Sequence, residues 1–316
     1  MVEIERKYRM VNNENRDELL KLALTHLNPA EGYETNGLIP FNAQQFNEFS
    51  LAYHHDQMGS AGLWGFKDVN NNVVCEPKYL FEPIVCGDTY IVCIGSGWKH
   101  TDDLSDGKIW SEIQKWGLVD KKQKTLIPFD YDELECINFE WVDDNNTKGD
   151  IFVGRKYLED NSEFYMECEI INNKNEKLIE NKYSDVDYRI EYNQLVVYKN
   201  RERSADSSTK GFAGVYDFNL NKEIIHPNKY RQIEIVDYNL FLVSDDVDNY
   251  YNATLINEND QIIGKENEWD SVSKRFESPK DYIYCGKTMD GKYYRFNIKN
   301  NKIVDLIEIS SEDYLK

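Results

Sequence analysis

Five histidines, six cysteines and a large excess of carboxylates are what this chain offers for chemistry. His54-His55-Asp56 places three metal-ligand types in a row, but neighbouring residues on a strand point to opposite faces and do not converge on one ion. His226, next to Pro227, reads as a turn residue rather than a general base. Asp245, Asp246 and Asp248 have the acidity of a calcium loop without its glycine or its distal glutamate, and read as a solvated acidic turn. Gly95-Ser96-Gly97 lacks the spacing of a nucleophile elbow. Cys75, Cys86, Cys93, Cys136, Cys168 and Cys285 contain no C-x-x-C pair and mostly stand among apolar neighbours, as in Ile84-Val85-Cys86. They read as buried, reduced thiols. No P-loop, dinucleotide fingerprint or H-E-x-x-H helix occurs. The residues assemble no catalytic set and imply no metal and no cofactor.

The elements that would position any site come from one recurring frame. Trp116-Gly117-Leu118-Val119-Asp120 is followed by Pro128 and Tyr131, and Trp64-Gly65-Phe66-Lys67-Asp68 by Pro77 and Tyr79. A worn copy is Ala213-Gly214-Val215-Tyr216-Asp217, with Pro227 and Tyr230. Apolar and polar residues alternate through each, the period of a half-buried strand. An Asn/Asp/Lys-rich turn follows, as at Val69-Asn70-Asn71-Asn72, because such residues tolerate left-handed backbone and bond their own main chain. A second strand comes next (Val73–Cys75, Leu126-Ile127, Ile224-Ile225) and ends at a proline, which cannot continue a central ladder. Glycine in the second position implies close approach of another backbone, or a bulge.

This frame resembles the bacterial WG-repeat family, whose unit runs W-G, two apolar residues and Asp, then a turn, then an apolar residue with I-P-x-x-Y-D. The resemblance spans nearly the whole chain and is strongest at Trp64-Gly65 and Trp116-Gly117. The unit at 213 has Ala for Trp, and the others are recognisable by phase. It implies a tandem β-repeat architecture and carries over no catalytic residue. The opening Glu3-Ile4-Glu5-Arg6-Lys7 resembles the E-x-E-x-K strand of triphosphate tunnel enzymes, but no later strand continues that pattern.

In chain order, residues 15–28 predict the one clear helix, capped by Asn15 or Asn13 and stopped by Pro29, with an apolar stripe suited to covering one end of an array or, alternatively, to binding a partner. The organisation expected is an N-terminal segment over 1–34 and a repeat domain over 35–316. Further units start near Met166, Ala253 and Tyr293, so the spacing falls from about 52 to about 40 residues. Four short strands at such a period predict an all-β, propeller-like fold of about six blades. The chain begins with the second half of a unit and ends with the first half of one; joined, these would close the last blade. An open superhelix of β-hairpins is the alternative. The longest connection expected is Gly95–Lys115, with a short helix over Ser105–Gln114; shorter ones fall at Lys199–Gly211, Asp143–Thr147 and Asp245–Asn249.

Net charge is −20. Such a surface repels phosphate backbones and disfavours nucleic acid, whereas it attracts a basic protein and speeds encounter with it. No run reaches the roughly 18 apolar residues of a membrane span, and Met1–Lys7 has no apolar signal core, so the expected location is the cytoplasm. The expected function is non-catalytic protein binding, in its sharpest form an immunity or antitoxin protein neutralising a basic toxin. The expected contact residues lie in the connections: Trp98, Asp102, Asp103 and Asp106; Asp143 and Asp144; Asp245, Asp246 and Asp248. The alternative is a propeller enzyme or carbohydrate-binding lectin with its site at a central channel.

Overall fold

The computed structural model describes residues 31–42, 62–103, 107–137, 140–143, 146–148, 150–158, 165–202, 210–246, 252–278 and 281–315. Most are strand, arranged as six tandem antiparallel sheets of three or four strands and one separate hairpin. The first holds β1 (Leu38–Asn42), β2 (Trp64–Asp68) and β3 (Val73–Tyr79). The second holds β4 (Ile84–Cys86), β5 (Thr89–Asp103), β6 (Gly107–Asp120) and β7 (Thr125–Tyr131). In the third, β8 (Glu133–Cys136) is followed by a separate hairpin, β9 (Glu140–Asp143) and β10 (Asn146–Lys148), and then by β11 (Ile151–Leu158) and β12 (Tyr165–Asn172). The fourth is β13 (Asp185–Glu191), β14 (Gln194–Glu202), β15 (Lys210–Asp217) and β16 (Lys222–Tyr230). The fifth is β17 (Gln232–Asp237), β18 (Leu240–Ser244) and β19 (Thr254–Asn257). The sixth is β20 (Trp269–Ser278), β21 (Asp281–Thr288), β22 (Tyr293–Lys299) and β23 (Lys302–Ile309). One short helix among the described residues, α1 (Ser311–Leu315), follows Ser310, whose hydroxyl accepts from the Asp313 amide at 3.1 Å. The helix expected over 15–28 lies outside the described residues.

The repeat is confirmed by register. Trp64 pairs with Tyr79, Trp116 with Tyr131, Cys168 with Tyr183, Ala213 with Tyr230 and Ala253 with Trp269. The third unit therefore starts at Cys168, two residues beyond the expected Met166. The glycine has the cause expected of it. A Cβ on Gly65 would stand 2.5 Å from the Cys75 carbonyl oxygen, one on Gly117 2.9 Å from that of Ile127, and one on Gly214 2.6 Å from that of Ile225. All three sites coincide with irregular register between the paired strands. Where the unit has Glu169 or Thr254 in that place, the partner segment forms isolated bridges, among them Cys168 to Tyr183 and Ala253 to Trp269.

The turns share one mechanism. The side chain of Asp68 accepts from the amides of Asn70 and Asn72, both at 2.8 Å. Asp120 repeats this with Lys122 and Lys124, Asn172 with Lys174 and Glu176, and Asn257 with Asn259 and Gln261. The residue three places on is left-handed in each: Asn71, Gln123, Asn175 and Asp260, with φ from 58° to 65°. The short polar side chain thus supplies the bonds that the turn backbone would otherwise lack.

Sheet and sequence unit are out of phase. In the second and fourth sheets, the strand carrying Trp116 or Ala213 is third, so each sheet joins the last two strands of one unit to the first two of the next. The last sheet shows the consequence. β22 pairs with β21 through Tyr284 and Phe296, and β23 with β22, so this sheet is complete within Trp269–Ile309. Among the described residues, the C-terminal half-unit joins β20 and β21 in one sheet, and β1 pairs with β2. A short turn after Thr288 brings β22 back onto β21 at little loop-closure cost.

The chain divides into two compact units, Met1–Lys156 with Ile170–Leu178, and Tyr157–Glu169 with Ile179–Lys316. In the first, Trp64, Phe66, Tyr79, Tyr90 and Val119 form one cluster, and Leu118, Ile127, Tyr131 and Phe152 another. In the second, Val215, Ile225, Ile233, Phe241 and Ile256 pack together, as do Leu255, Ile263, Trp269, Tyr284 and Phe296. All six cysteines are buried and free, as expected.

Candidate functional site

The last sheet of the second unit builds the most organised exposed surface among the described residues. In the β20–β21 hairpin Lys274 stands opposite Tyr284, and Phe276 opposite Tyr282. Side chains alternate with period two, so these four share one face. The Lys274 ammonium lies 4.1 Å from the Tyr282 ring centroid, 5.5 Å from that of Phe276 and 5.6 Å from that of Tyr192. Phe276 is 69 % exposed, Tyr282 46 % and Tyr192 42 %.

Beneath the rings the charge is balanced. Lys274 donates to Asp237 Oδ1 at 2.8 Å, the Tyr284 hydroxyl donates to Asp237 Oδ2 at 2.7 Å, and the Tyr238 amide donates to Oδ1 at 2.8 Å. Asp237 is buried. Burial works to lower the Lys274 ammonium, but the hydrogen bond and charge of Asp237 outweigh it and hold the pKa above its ordinary value. Lys274 therefore stays protonated and offers no lone pair for nucleophilic chemistry. Burial, reinforced by the bond to Asp237, pushes the Tyr284 hydroxyl up as well. The arrangement fixes rings rather than exposing a reactive atom.

Tyr192 reaches this place at a cost. It forms, with Asn193, the two-residue turn between β13 and β14, at φ 52° and 59°. Asn adopts left-handed backbone readily and an aromatic residue does not. Glu191 precedes Tyr192, and burial, joined by the negative charges of Asp237 and Glu191, raises the Tyr192 hydroxyl. Glu234 keeps an open surface, yet its crowded surroundings and the charge of Glu191 raise its carboxyl.

A second polar cluster surrounds Glu223. Its Oε1 accepts from Asn181 Nδ2 and the Tyr183 hydroxyl, both at 2.9 Å, and its Oε2 lies 2.8 Å from His226 Nδ1. Lys199 stands at 3.5 Å. Burial works to raise this carboxyl, but the bonds from His226 and Tyr183 and the charge of Lys199 hold it below its ordinary value. His226 lies on β16 rather than in a turn, and is exposed. The cluster has a structural use, because the same latch recurs. The Tyr79 hydroxyl donates to Gln123 at 2.7 Å, and Tyr230 to Asp260. Each of these tyrosines closes the first hairpin of one sequence unit and bonds into the turn or second strand of the next.

The expected contact residues are dispersed. Trp98, Asp102 and Asp103 lie on β5, not in a loop: β5 and β6 form one long hairpin from Thr89–Asp120 to Asp103–Gly107. The expected helix over Ser105–Gln114 is strand from Gly107 onward. The reason is cross-strand pairing of β-formers, with His100 opposite Trp110 and Thr101 opposite Ile109. Asp102 stands opposite Lys108. Asp143 lies on β9, opposite Asn146. Asp245 is exposed just beyond β18, and the Asp246 amide donates to the Ser244 hydroxyl at 3.2 Å. Asp106, Asp144, Asp248 and His54-His55-Asp56 lie outside the described residues. Among the described residues no group of three or more His, Cys, Asp or Glu could hold a metal ion, and no helix is long and apolar enough to cross a membrane.

The sequence expectations missed the ring cluster. Two alternating segments, Val272-Ser273-Lys274-Arg275-Phe276 and Asp281-Tyr282-Ile283-Tyr284, separated in sequence by Pro279-Lys280, were the available signal.

No protein-family model matches the chain, and no curated protein matches it. Among solved structures, one described as a eukaryotic initiation factor is similar over 89 % of this chain and 76 % of its own, at 11 % identity and a TM-score of 0.31. A protein of unknown function from Bacteroides caccae is similar over 80 % and 71 %, at 13 % identity and a TM-score of 0.19. Neither likeness, at these scores, bears on the site.

Proposed function

We propose that this is a WG-type β-repeat protein that acts by stoichiometric binding of a basic protein, without catalysis of its own. The observation that carries the reading is the exposed ring surface of Tyr192, Phe276 and Tyr282 on a chain of net charge −20. Aromatic anchors ringed by polar residues are the composition of protein interfaces. The acidic surface supplies long-range attraction for a cationic partner. In its sharpest form the reading is an immunity or antitoxin protein, working in the cytoplasm against a basic toxin such as a nuclease. The WG assignment rests on the three glycines packed under strand carbonyls and on the Trp–Tyr register.

The test is affinity capture from the native organism with the full-length protein as bait. A basic protein recovered at fixed stoichiometry, and losing its own activity on binding, supports the reading. Recovery of neutral or acidic partners only would count against it. The same exposed rings favour a second reading, carbohydrate binding, in which neutral oligosaccharides rather than proteins would be retained.

A further inference from the structure

We propose that the face formed by Tyr192, Phe276 and Tyr282 is an arginine-recognition site for the partner; the proposal rests on the protein-binding reading above and names the chemistry of that contact. Three features converge on it. The rings come from separate hairpins, the β13–β14 turn and β20–β21, and meet around one ammonium, that of Lys274. Asp237 neutralises that ammonium from below and is itself held by Tyr284 and the Tyr238 amide. Lys274 thus braces the rings without presenting net charge to an incoming cation. Glu191 adds negative charge beside Tyr192, on a chain of net charge −20.

A planar guanidinium suits this surface better than an ammonium. It stacks on aromatic faces and pairs with carboxylates in two-point fashion, whereas a lysine head is a compact, strongly hydrated charge. The rings are also pre-organised. Tyr192 is held in a left-handed turn, and Tyr282 packs edge-on against both Phe276 and Tyr284, with centroids at 6.5 and 5.7 Å. Little side-chain freedom remains to be lost on binding.

The experiment measures binding of the full-length protein to two peptides of equal length and charge, arginine alternating with glycine and lysine alternating with glycine. The arginine peptide is expected to bind about tenfold more tightly. Phe276→Ala combined with Tyr192→Asn is expected to remove the preference and leave lysine-peptide binding unchanged. Phe276→Leu, which keeps apolar bulk and deletes the ring, serves as a second variant should the first unfold. Equal affinity for the two peptides, or a preference that survives both variants, would overturn the site. So would binding of a neutral hexasaccharide abolished by the same substitutions. A captured partner that binds parent and variants alike would remove the arginine site and leave the protein-binding reading standing. Peptide discrimination with no protein captured would keep the site and remove the toxin-neutralising role.

Discussion

The Tyr183 hydroxyl donates to Glu223 Oε1 across 2.9 Å, tying the close of the first hairpin of one repeat to the second strand of the next. Deleting that donor in Tyr183→Phe leaves a largely buried carboxylate short of one bond and should cost about 1–2 kcal/mol in urea unfolding. The carboxyl's depressed pKa adds a pH signature. An unfolded glutamate takes up its proton near 4.5, and the folded Glu223 only at lower pH. Its stabilisation is therefore complete above about 4.5 and disappears as pH falls through the folded value. The gap between parent and Glu223→Gln should be wide at pH 7 and shrink as the pH falls below about 4.5; a gap that grows on acidification would contradict the latch.

Gly214 separates packing from backbone strain. Alanine there would drive a methyl group to within 2.6 Å of a strand carbonyl, so the sheet must shift, at about 1–3 kcal/mol. Gly291 has nothing within 4 Å, and alanine there meets only the penalty of a φ of 81°, about 1 kcal/mol. Thermal melts should rank Gly214→Ala below Gly291→Ala. The reverse order would show that the second-position glycine of the repeat serves the turn and not the close approach of strands.

Two tryptophans in the same register differ in burial. Trp64 is 1 % exposed and sits in the Phe66–Tyr79 cluster, so Trp64→Ala should cost about 3–5 kcal/mol. Trp116 is half-buried and stacks on Phe81 with centroids 5.4 Å apart; its replacement should cost roughly 1–3 kcal/mol. The Trp64 indole N–H has no partner among the described residues. Trp64→Phe should accordingly cost much less than Trp64→Ala, since it discards an unpaired donor along with some volume.

What was legible in the sequence was whatever short-range chemistry dictates. Asp68 and Asp120 announce their turns because the side chain bonds amides two and four residues on, and Gly65 announces a close approach because nothing larger fits. The phase of the sheets was not legible. Repetition fixes a period but not which strand pairs across the boundary between units, and that choice rests on loops such as the one after Thr288. The β5–β6 hairpin was misread as a loop because Gly95, Gly97 and the polar run Lys99–Ser105 obscure an alternation that the pairing of His100 with Trp110 satisfies. The ring cluster stayed hidden for a different reason: Tyr192 lies far along the chain from Phe276 and Tyr282, and only pairing brings them to one lysine.

Tyr192 gives a prediction in which stability and binding move apart. Its left-handed backbone is strained for an aromatic residue and ordinary for asparagine. Tyr192→Asn should therefore raise the unfolding free energy by about 0.5–1 kcal/mol, while weakening capture of the partner. Such opposition is expected where strain is retained for use. A variant that is both less stable and a weaker binder would mark Tyr192 as a packing residue instead.

The acidic connections test the electrostatic half of the proposal. Attraction between exposed charges acts mainly on the association rate and is screened beyond about 8 Å at physiological salt. Replacing Asp102, Asp103 and Asp106 by Asn, or Asp245, Asp246 and Asp248 likewise, should slow association of the captured partner for at least one of the two sets. The loss should be largest at low salt and shrink as salt is added. Unfolding should be nearly unaffected, because single surface charges contribute little to stability. Asp245 is well suited to this role, being exposed just beyond β18. Stopped-flow association at two salt concentrations makes the measurement. If both triple variants bind as fast as the parent at low salt, the net charge serves solubility, and recognition rests on the aromatic face alone.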